Sequence, residues 1–336
     1  MTTADDDLLG IPAGLPHRAT LIGVGYALPR NSYDNSFVEA MVGAPEGWLE
    51  PRTGIARRRW AAPDETVLTL GQAAAERALD MAGLTTDEID HVIVATYTFD
   101  RVLPNAGPFL AKAMGIPTTA GTVDVSAACA GWLASVKYAS AMVETGRARN
   151  VLVVASDIIS SYGSDGQRGG VAVMADGAGA GIISRQSAER PGAIGEIHIH
   201  ADGTYAEMIG GYRAAERTWM RGQETYMVAV AELVNVTKET LAKAGITKED
   251  PDLYVFHQAN GRILQAVAAR LDLDPARSLT YLGDTGNISA ATIPMALTRA
   301  REDGKLRQGD LICTAAIGAG FVWAGGLLRW GIPDPA

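Results

Sequence analysis

The chain has 336 residues, of which 47% are hydrophobic and 20% charged. This composition is typical of a globular protein with enough apolar material for a core, and it excludes general disorder. The 29 basic and 38 acidic side chains give a net charge of −9, which argues against a nucleic-acid partner. No uninterrupted apolar run reaches the roughly 18–20 residues that a membrane helix needs, so we expect no membrane association.

The cysteine content and the N-terminus predict a cellular location. Two cysteines are too few for a disulfide framework, and this favours a reducing cytoplasm. Residues 1–17 are acidic near their start and carry no apolar segment of the kind that signal peptides contain. We therefore interpret residues 1–17 as a flexible tail that precedes the folded part of the chain.

Short apolar runs alternate with longer helical patterns along most of the chain. The predicted strands, rich in Val, Ile and Leu, are Leu21–Leu28, His91–Thr96, Val123–Ser126, Val151–Ser156, Leu253–His257 and Leu311–Ile317. The predicted helices, with apolar residues at a 3.6-residue period, are Gly71–Ala82, Trp132–Thr145, Val228–Ala244, Arg262–Leu271 and Ala290–Glu302. This alternation indicates an α/β fold rather than a sandwich or a helix bundle.

An internal repeat divides the chain into two halves. The segment Ala82–Thr85, Ala-Gly-Leu-Thr, resembles Ala244–Thr247, Ala-Gly-Ile-Thr, at a displacement of 162 residues. Gly146, which ends a predicted helix, pairs with Gly304 at a displacement of 158. Similar helix ends recur in unrelated α/β proteins, but the near-constant displacement favours duplication. We predict two copies, residues 18–185 and 190–331, related by a pseudo-twofold axis.

The repeat relates two residues of chemical interest. The displacement of 158 carries Cys129 onto Asn287. Each of these residues precedes a helix that takes the same place in the order of elements of its copy. We therefore expect the two helix N-termini to face one another across the axis. Ligands in open α/β sheets bind where such loops meet, outside the carboxyl ends of the strands.

Cys129 is the candidate nucleophile. It lies between a predicted strand and a predicted helix among small residues, Ser126 to Gly131, which permit a sharp turn. A helix N-terminus favours the thiolate through its unpaired N–H groups and its dipole. The alternative is that Cys129 is a small buried hydrophobic residue, the commonest state of a free cysteine. Cys313, inside a predicted strand, is interpreted as core packing.

His257 and Asn287 are the candidate partners of Cys129. His257 ends an apolar predicted strand, and Asn287 precedes a predicted helix, where it could also be a simple turn and cap residue. The three residue types occur in cysteine hydrolases, in which His activates the thiol and Asn orients the His. They also suit decarboxylative condensation, in which His and Asn donate hydrogen bonds to an enolate oxygen. The internal repeat places Asn287 at the position equivalent to Cys129, so that Asn287 would face the reacting centre directly. This placement favours condensation.

Seven segments together resemble one enzyme family over nearly the whole chain after the tail. They are Arg52–Ile55, Asp124–Gly131, Asp176–Ala180, His200–Tyr205, His257–Asn260, Gly286–Ala291 and Gly318–Trp323. With Cys, His-Gln-Ala-Asn and Gly-Asn motifs in this order, the chain is similar to the thiolase superfamily, and specifically to β-ketoacyl-acyl-carrier-protein synthase III. The resemblance implies a duplicated, five-layered αβαβα thiolase-like fold and a homodimer.

The resemblance also implies a reaction in two stages. Cys129 would take an acyl group from acyl-CoA, with the N–H groups of Cys129 and Ala319 as the oxyanion hole. His257 and Asn287 would then bind malonyl-acyl carrier protein, stabilise the enolate formed on decarboxylation, and direct it onto the acyl-cysteine. Acyl-CoA is a substrate here, so no resident cofactor and no metal are expected.

Further residues receive binding roles through the resemblance alone. Trp48 and Arg168 would flank the adenine of CoA, and Arg52, Gly222 and Asn260 would line the nucleotide and pantetheine channel. Arg262, one turn into a helix, would dock the acidic carrier protein or would be an ordinary surface arginine.

The chain departs from the family pattern near the acyl pocket. Leu103 stands before Pro104, where the family commonly has Phe as the gate, and Ala319 replaces a glycine. A smaller gate would admit a starter longer than acetyl. Starter loading or acyl transfer in polyketide or other natural-product biosynthesis is therefore the alternative function. A non-condensing acyltransferase or thioesterase and a non-catalytic partner subunit are further alternatives.

Overall fold

The computed structural model describes residues 9, 11, 14–162, 168–187, 191–212 and 217–334, and the side chains of residues 168, 169 and 217 lie outside this description. The strands are β1 (Ala19–Ala27), β2 (Asn31–Asp34), β3 (Arg57–Trp60), β4 (His91–Ala95), β5 (Gly121–Val125), β6 (Asn150–Asp157), β7 (Gly177–Arg185), β8 (Ala193–Ile194), β9 (His198–Ala201), β10 (Ile209–Tyr212), β11 (Arg217–Met220), β12 (Leu253–Phe256), β13 (Leu311–Gly318) and β14 (Val322–Arg329). The helices are α1 (Asn35–Val42), α2 (Glu50–Thr53), α3 (Val67–Ala82), α4 (Ala106–Met114), α5 (Gly131–Glu144), α6 (Arg168–Val173), α7 (Gly222–Lys243), α8 (Gly261–Leu271) and α9 (Thr292–Glu302).

The N-terminal half is built on a five-stranded mixed sheet with the strand order β1-β7-β6-β4-β5. Strands β4, β5 and β6 run parallel, whereas β7 is antiparallel to both of its neighbours. Every residue of β6 is buried, as expected for a central strand that is covered on both faces.

The C-terminal half repeats this topology. Strand β12 is parallel to β13, and β13 is antiparallel to β14, as β4, β6 and β7 are in the first sheet. Strands β8 and β9 both pair with β14 in the place that β1 takes beside β7. A parallel bridge between Tyr254 and Ser278 corresponds to the pairing of β4 with β5. The structure therefore bears out the duplication on which the sequence argument relied.

Helices form three layers around the two sheets. Helices α3 and α4 cover the outer face of the first sheet, and α7 and α8 cover the outer face of the second. Helices α5 and α9 lie in the middle, where Trp132, Val136, Ile293 and Met295 contribute to one buried apolar cluster with residues of both sheets. The predicted αβαβα arrangement is confirmed.

The register of the repeat at the two central helices differs from the prediction. The short 3₁₀ turns that lead into α5 and α9 are Ala128–Ala130 and Ser289–Ala291, and each begins with a residue of positive φ, 44° at Ala128 and 55° at Ser289. Ser289 is thus the counterpart of Ala128, and the counterpart of Cys129 is Ala290, not Asn287. The predicted equivalence of Cys129 and Asn287 is wrong by three residues, because α9 has 11 residues and α5 has 14.

Six residues of the segment predicted to be a tail are described, namely 9, 11 and 14–17. Leu9 and Ile11 are buried and belong to the apolar cluster on the C-terminal half, and the Leu9 carbonyl accepts a hydrogen bond from Glu196 N. The boundaries at residues 17, 185 and 190 remain predictions. Among the described residues, none of the helices combines the length and the apolar character that crossing a bilayer requires.

Candidate active site

One large cavity, of about 690 Å³, runs from the surface to Cys129. Cys129, His257 and Asn287 all line it, so the structure brings the three predicted catalytic side chains together. Five other residues with predicted site roles also line this cavity: Trp48, Arg52, Gly222, Asn260 and Ala319.

Cys129 lies in the 3₁₀ turn between β5 and α5. The positive φ of Ala128 turns the chain sharply, and a serine hydroxyl, Ser289 Oγ, lies 3.7 Å from Cys129 Sγ. Burial raises the pKa of the Cys129 thiol to about 12, although the hydrogen bond from Ser289 opposes this shift. Desolvation of the thiol therefore opposes the effect of the helix N-terminus, which favours the thiolate.

The end of β13 packs directly against the nucleophile turn. A Cβ on Gly318 would come within 2.6 Å of Cys129 N, so only glycine allows this approach. Ala319 follows Gly318 and lines the cavity. The Cys129 N–H belongs to the first turn of a helix, where donors lack intrahelical partners. The N–H groups of Cys129 and Ala319, which lie on adjoining segments, therefore suit an oxyanion hole.

His257 follows the last residue of β12 and is 1% exposed. Its Nδ1 lies 2.7 Å from Thr292 Oγ1, which also accepts a hydrogen bond from Gln258 N. If the Thr292 hydroxyl donates to Nδ1, the proton of the neutral imidazole is on Nε2, which can then donate to a ligand. Burial lowers the pKa of His257 to about 3, so the imidazole is neutral near pH 7.

Asn287 is fixed by three hydrogen bonds. Its N–H donates to Val173 O at 2.8 Å, and its carbonyl accepts from Ala175 N at 2.9 Å. Its side-chain Oδ1 accepts from Ser289 N at 2.9 Å, which leaves Nδ2 as the group that can face a ligand. Asn287 and the neutral His257 thus offer two N–H donors to one cavity.

Four of the five residues predicted to bind CoA line the cavity, and Arg168 is the fifth. Arg52 stacks on the indole of Trp48, with its guanidinium 4.6 Å from the ring centre, and donates to Trp48 O. Asn260 caps α8 through its side-chain oxygen, and Gly222 begins α7. Arg168 begins α6, but its side chain lies outside the described residues.

Two predicted residues lie outside the cavity. Arg262 is exposed on α8, with its guanidinium 5.9 Å from the ring centre of Tyr226, a residue of the cavity wall. Leu103 is 85% exposed, so within one chain it does not act as a gate for the acyl pocket.

Sequence reasoning missed the polar residues behind the three predicted side chains. Gln258 donates to Phe256 O and Leu279 O and accepts from Tyr281 N, which fixes the loop that carries His257. Asp157 is buried at the end of β6. A carboxylate that follows the apolar run Val151–Ala155 is a signal that could have been found, whereas the hydroxyl contacts of Ser289 and Thr292 leave no sequence pattern.

Metal ligation has little support in the described part of the chain. No group of three or more His, Cys, Asp or Glu side chains there is arranged to hold an ion. His200 instead contacts Glu239 at 2.7 Å. The site as built combines a thiol, a neutral imidazole, an amide and backbone donors, which suits acyl transfer and enolate stabilisation.

Comparison with known proteins gives two family matches. A family model described as 3-oxoacyl-[acyl-carrier-protein] synthase III matches residues 123–203, and the model of its C-terminal part matches residues 241–330. The β-ketoacyl-[acyl-carrier-protein] synthase III of Salmonella paratyphi A is 38% identical over 318 residues, which is 92% of this chain and 99% of the relative.

Solved structures agree with the sequence relatives. The 3-oxoacyl-[acyl-carrier-protein] synthase III of Aquifex aeolicus has a TM-score of 0.88 and 33% identity, over 93% of this chain and 100% of that one. The priming β-ketosynthase of the R1128 polyketide pathway has a TM-score of 0.87 and 34% identity, over 97% of this chain and 100% of that one. On its sequence, its fold and the three side chains gathered around one cavity, the chain belongs to the β-ketoacyl-[acyl-carrier-protein] synthase III family of condensing acyltransferases with the thiolase fold.

Proposed function

We propose that the protein joins an acyl group from acyl-CoA to malonyl-acyl carrier protein, with loss of carbon dioxide. The observation that carries this proposal is that Cys129, His257 and Asn287 open onto one cavity, with Gly318 pressed against the nucleophile turn. The names of the relatives support the same reaction.

In the first stage, the Cys129 sulfur attacks the thioester carbonyl of acyl-CoA. The N–H groups of Cys129 and Ala319 stabilise the oxyanion of the tetrahedral intermediate. The C–S bond to CoA then breaks, and the proton lost by the Cys129 thiol ends on the CoA sulfur. The products are acyl-Cys129 and free CoA.

In the second stage, His257 Nε2 and Asn287 Nδ2 donate to the thioester oxygen of the malonyl group. Carbon dioxide leaves, and the electron pair of the broken C–C bond forms an enolate on that oxygen. The enolate carbon attacks acyl-Cys129, and the released sulfur takes a proton from solvent. Because His257 is neutral, it donates a hydrogen bond without protonating the enolate.

The partners follow from this chemistry. An acidic carrier protein would dock beside the cavity at Arg262, which is exposed next to the cavity wall. Trp48, Arg52, Arg168, Gly222 and Asn260 would hold CoA or pantetheine. The proposal needs no resident cofactor, and a free thiol nucleophile fits a reducing cytoplasm.

A homodimer is part of the proposal. Strand β5 is an edge of the first sheet among the described residues, and its Val123 is 43% exposed. Unpaired, apolar edges are rarely left to solvent. Val102 and Leu103 are 78% and 85% exposed, as expected of a loop that is covered by a second copy. A gating role for Leu103 would then act on the cavity of the partner.

Starter loading in polyketide or other natural-product biosynthesis is the second candidate. It is favoured by the 34% identity to the R1128 priming β-ketosynthase over 97% of the chain. Both candidates share acyl-Cys129 and differ in the starter and in the acceptor of the acyl group.

The test is to expose the protein to a panel of acyl-CoAs, measure intact mass, and then add malonyl-acyl carrier protein. We expect an acyl adduct on Cys129 that disappears with release of carbon dioxide and formation of a β-ketoacyl product. Cys129→Ala should form no adduct, whereas Cys313→Ala should form it normally, since Cys313 is buried in β13 away from the cavity. The absence of any β-ketoacyl product for every starter would refute condensation. Acyl transfer without release of carbon dioxide would support the second candidate.

A further inference from the structure

Ser289 contacts the reactive sulfur from the protein side. It begins the 3₁₀ turn before α9, and its hydroxyl donates a hydrogen bond to Cys129 Sγ at an Oγ–Sγ distance of 3.7 Å. Ser289 is 0% exposed, and the described residues that line the cavity include Cys129 and Asn287 but not Ser289. Water or a substrate in the cavity therefore does not take the place of this hydroxyl at the sulfur.

The main chain of Ser289 holds a second residue of the site. Its N–H donates to Asn287 Oδ1 at 2.9 Å, and its φ of 55° lies in the left-handed region, which residues other than glycine rarely adopt. Ser289 thus contacts the nucleophile through its side chain and the amide donor through its main chain. A substitution that removes only the hydroxyl therefore breaks the contact with Cys129 and keeps the one with Asn287.

The duplication explains how a serine from the second half reaches a nucleophile in the first. The turn that begins at Ser289 packs against the turn that begins at Ala128, and these two residues are counterparts in the repeat. Ala128 has no hydroxyl. The two turns are therefore alike in backbone and different in chemistry, because the first supplies the sulfur of Cys129 and the second supplies a donor to it.

The surroundings of Cys129 make such a donor necessary. Burial and the negative charge of Asp157 both raise the pKa of the thiol, whereas the hydrogen bond from Ser289 lowers it. His257 is neutral and brings no positive charge. A thiolate has no proton to donate, so the proton in this contact must then come from Ser289. Because a hydrogen bond to an ionised acceptor is about twice as strong as a neutral one, the hydroxyl stabilises the thiolate more than the thiol.

We propose that Ser289 is a further catalytic residue, whose hydroxyl donates to the Cys129 sulfur whenever that sulfur carries negative charge. This inference rests on the proposed acylation of Cys129. In the first stage the hydroxyl stabilises the attacking thiolate, and in the second it stabilises the sulfur that leaves acyl-Cys129. Ser289 keeps its own proton in both stages. Decarboxylation places no charge on the sulfur and does not use this hydrogen bond.

The first test measures the reactivity of the sulfur without any substrate. Ser289→Ala and Ser289→Gly both remove the hydroxyl, and glycine adopts the positive φ without strain. The probe is iodoacetamide, and the measurement is the initial rate of alkylation by intact mass at several neutral and mildly alkaline pH values. The adduct reports Cys129, which is partly exposed, because Cys313 is buried. Thermal unfolding shows whether each variant is folded, and Ser289→Gly serves if Ser289→Ala is not.

The matched control is Ser156→Ala. Ser156 is also 0% exposed, and its hydroxyl donates a single recorded hydrogen bond, to Val67 O at 2.8 Å. This variant loses a buried serine hydroxyl that does not contact the sulfur. Its rate of alkylation should equal that of the wild type.

The expected size of the effect follows from the strength of a hydrogen bond to a charged group. Its loss should raise the pKa of the thiol by about one to two units and lower the thiolate fraction by about 10- to 100-fold. A more basic thiolate is also more nucleophilic, with a Brønsted slope of about 0.4–0.5, which recovers part of the loss. Alkylation by iodoacetamide and acylation by acetyl-CoA should therefore both slow by about 3- to 10-fold in the Ser289 variants.

The second test separates a chemical role from a structural one. The acylated protein receives malonyl-acyl carrier protein, and the β-ketoacyl product is measured for each carbon dioxide released. In Ser289→Ala this ratio should fall, because the sulfur leaves more slowly while Asn287 and His257 still support decarboxylation. An unchanged ratio with both yields lowered would show that Ser289 only supports the fold.

Wild-type rates of alkylation in both Ser289 variants would overturn the inference, as would an equal slowing in Ser156→Ala, because a general loosening of the fold would then explain the loss. Failure of the proposed function gives a different result. In that case iodoacetamide would still alkylate Cys129 of the wild type, but no acyl-CoA would form an adduct, or the adduct would release no carbon dioxide with malonyl-acyl carrier protein.

Discussion

His257 shows how burial of one side chain sets both reactivity and acid stability. Its pKa is lowered to about 3 by desolvation, whereas an exposed histidine titrates near 6.5. Between these values the unfolded chain binds a proton that the folded chain does not. The stability linked to His257 is therefore complete above about pH 6.5 and is lost as the pH falls towards 3.

We predict that the difference in unfolding free energy between the wild type and His257→Asn depends on pH. One pKa unit corresponds to 1.36 kcal/mol, so lowering the pH from 7 to 5 should shift this difference by about 2 kcal/mol in favour of the variant. Denaturant unfolding of both proteins at both pH values measures it. Asp157, whose pKa burial raises to about 6, titrates in both proteins and cancels in the comparison. A pH-independent difference would show that His257 is not buried in the neutral form.

At the scale of elements, an ion pair connects α9 to the turn that precedes Asn287. Arg299 on α9 donates to both carboxylate oxygens of Asp284, at 2.7 and 3.1 Å. The Arg299 side chain is 18% exposed and that of Asp284 is 56% exposed. Bidentate geometry favours the pair, and the partial exposure limits its strength to about 1 kcal/mol.

We predict that Arg299→Ala lowers the unfolding free energy by about 1 kcal/mol and slows decarboxylation more than acylation. The reason is that the 282–284 turn positions Asn287, which acts on the malonyl group, and does not contact Cys129. The matched control is Arg301→Ala on the same helix, because Arg301 donates to Pro333 O instead. If Arg299→Ala and Arg301→Ala had equal effects on acylation and on decarboxylation, the ion pair of Arg299 would not position Asn287.

The elements also show how far the sequence could predict the structure. Strands β6 and β13 are mostly apolar and fully buried, and α5 begins after a turn of small residues. The local sequence pattern was therefore sufficient to predict these three elements. The register at α9 was not predictable from the repeat, since a helix can lose nearly one turn while both its ends keep their residue types. The hydroxyls of Thr292 and Ser289 were missed because their partners lie far away in the chain.

At the scale of the whole molecule, duplication explains why one cavity receives groups from both halves. The first half contributes Cys129 from the loop before α5, and the second contributes His257 after β12 and Asn287 before α9. Neither half alone contains a nucleophile and both donors. The same duplication leaves β5 as an edge in the first sheet, whereas the described part of the second sheet has the Tyr254–Ser278 bridge at the equivalent place.

The exposed edge leads to a prediction about assembly. Asp124 on β5 accepts the N–H groups of Ala106 and Gly107, so its side chain faces α4, and Val123 points to the opposite face of the strand. In a twofold dimer formed by two β5 edges, any substitution at Val123 occurs twice near the axis. Val123→Asp would therefore place two like charges in an apolar contact, which costs enough to separate the chains.

We expect the wild-type protein to have twice the 35.3 kDa mass of one chain in light scattering, and Val123→Asp to have the mass of one chain. Met41→Asp is the matched control, since Met41 is a 52% exposed apolar residue on α1 and not on β5. The control should remain a dimer because its charge meets only solvent. A monomeric wild type, or a dimeric Val123→Asp, would mean that the β5 edge is not the interface, and Leu103 would then have no partner cavity to reach through it.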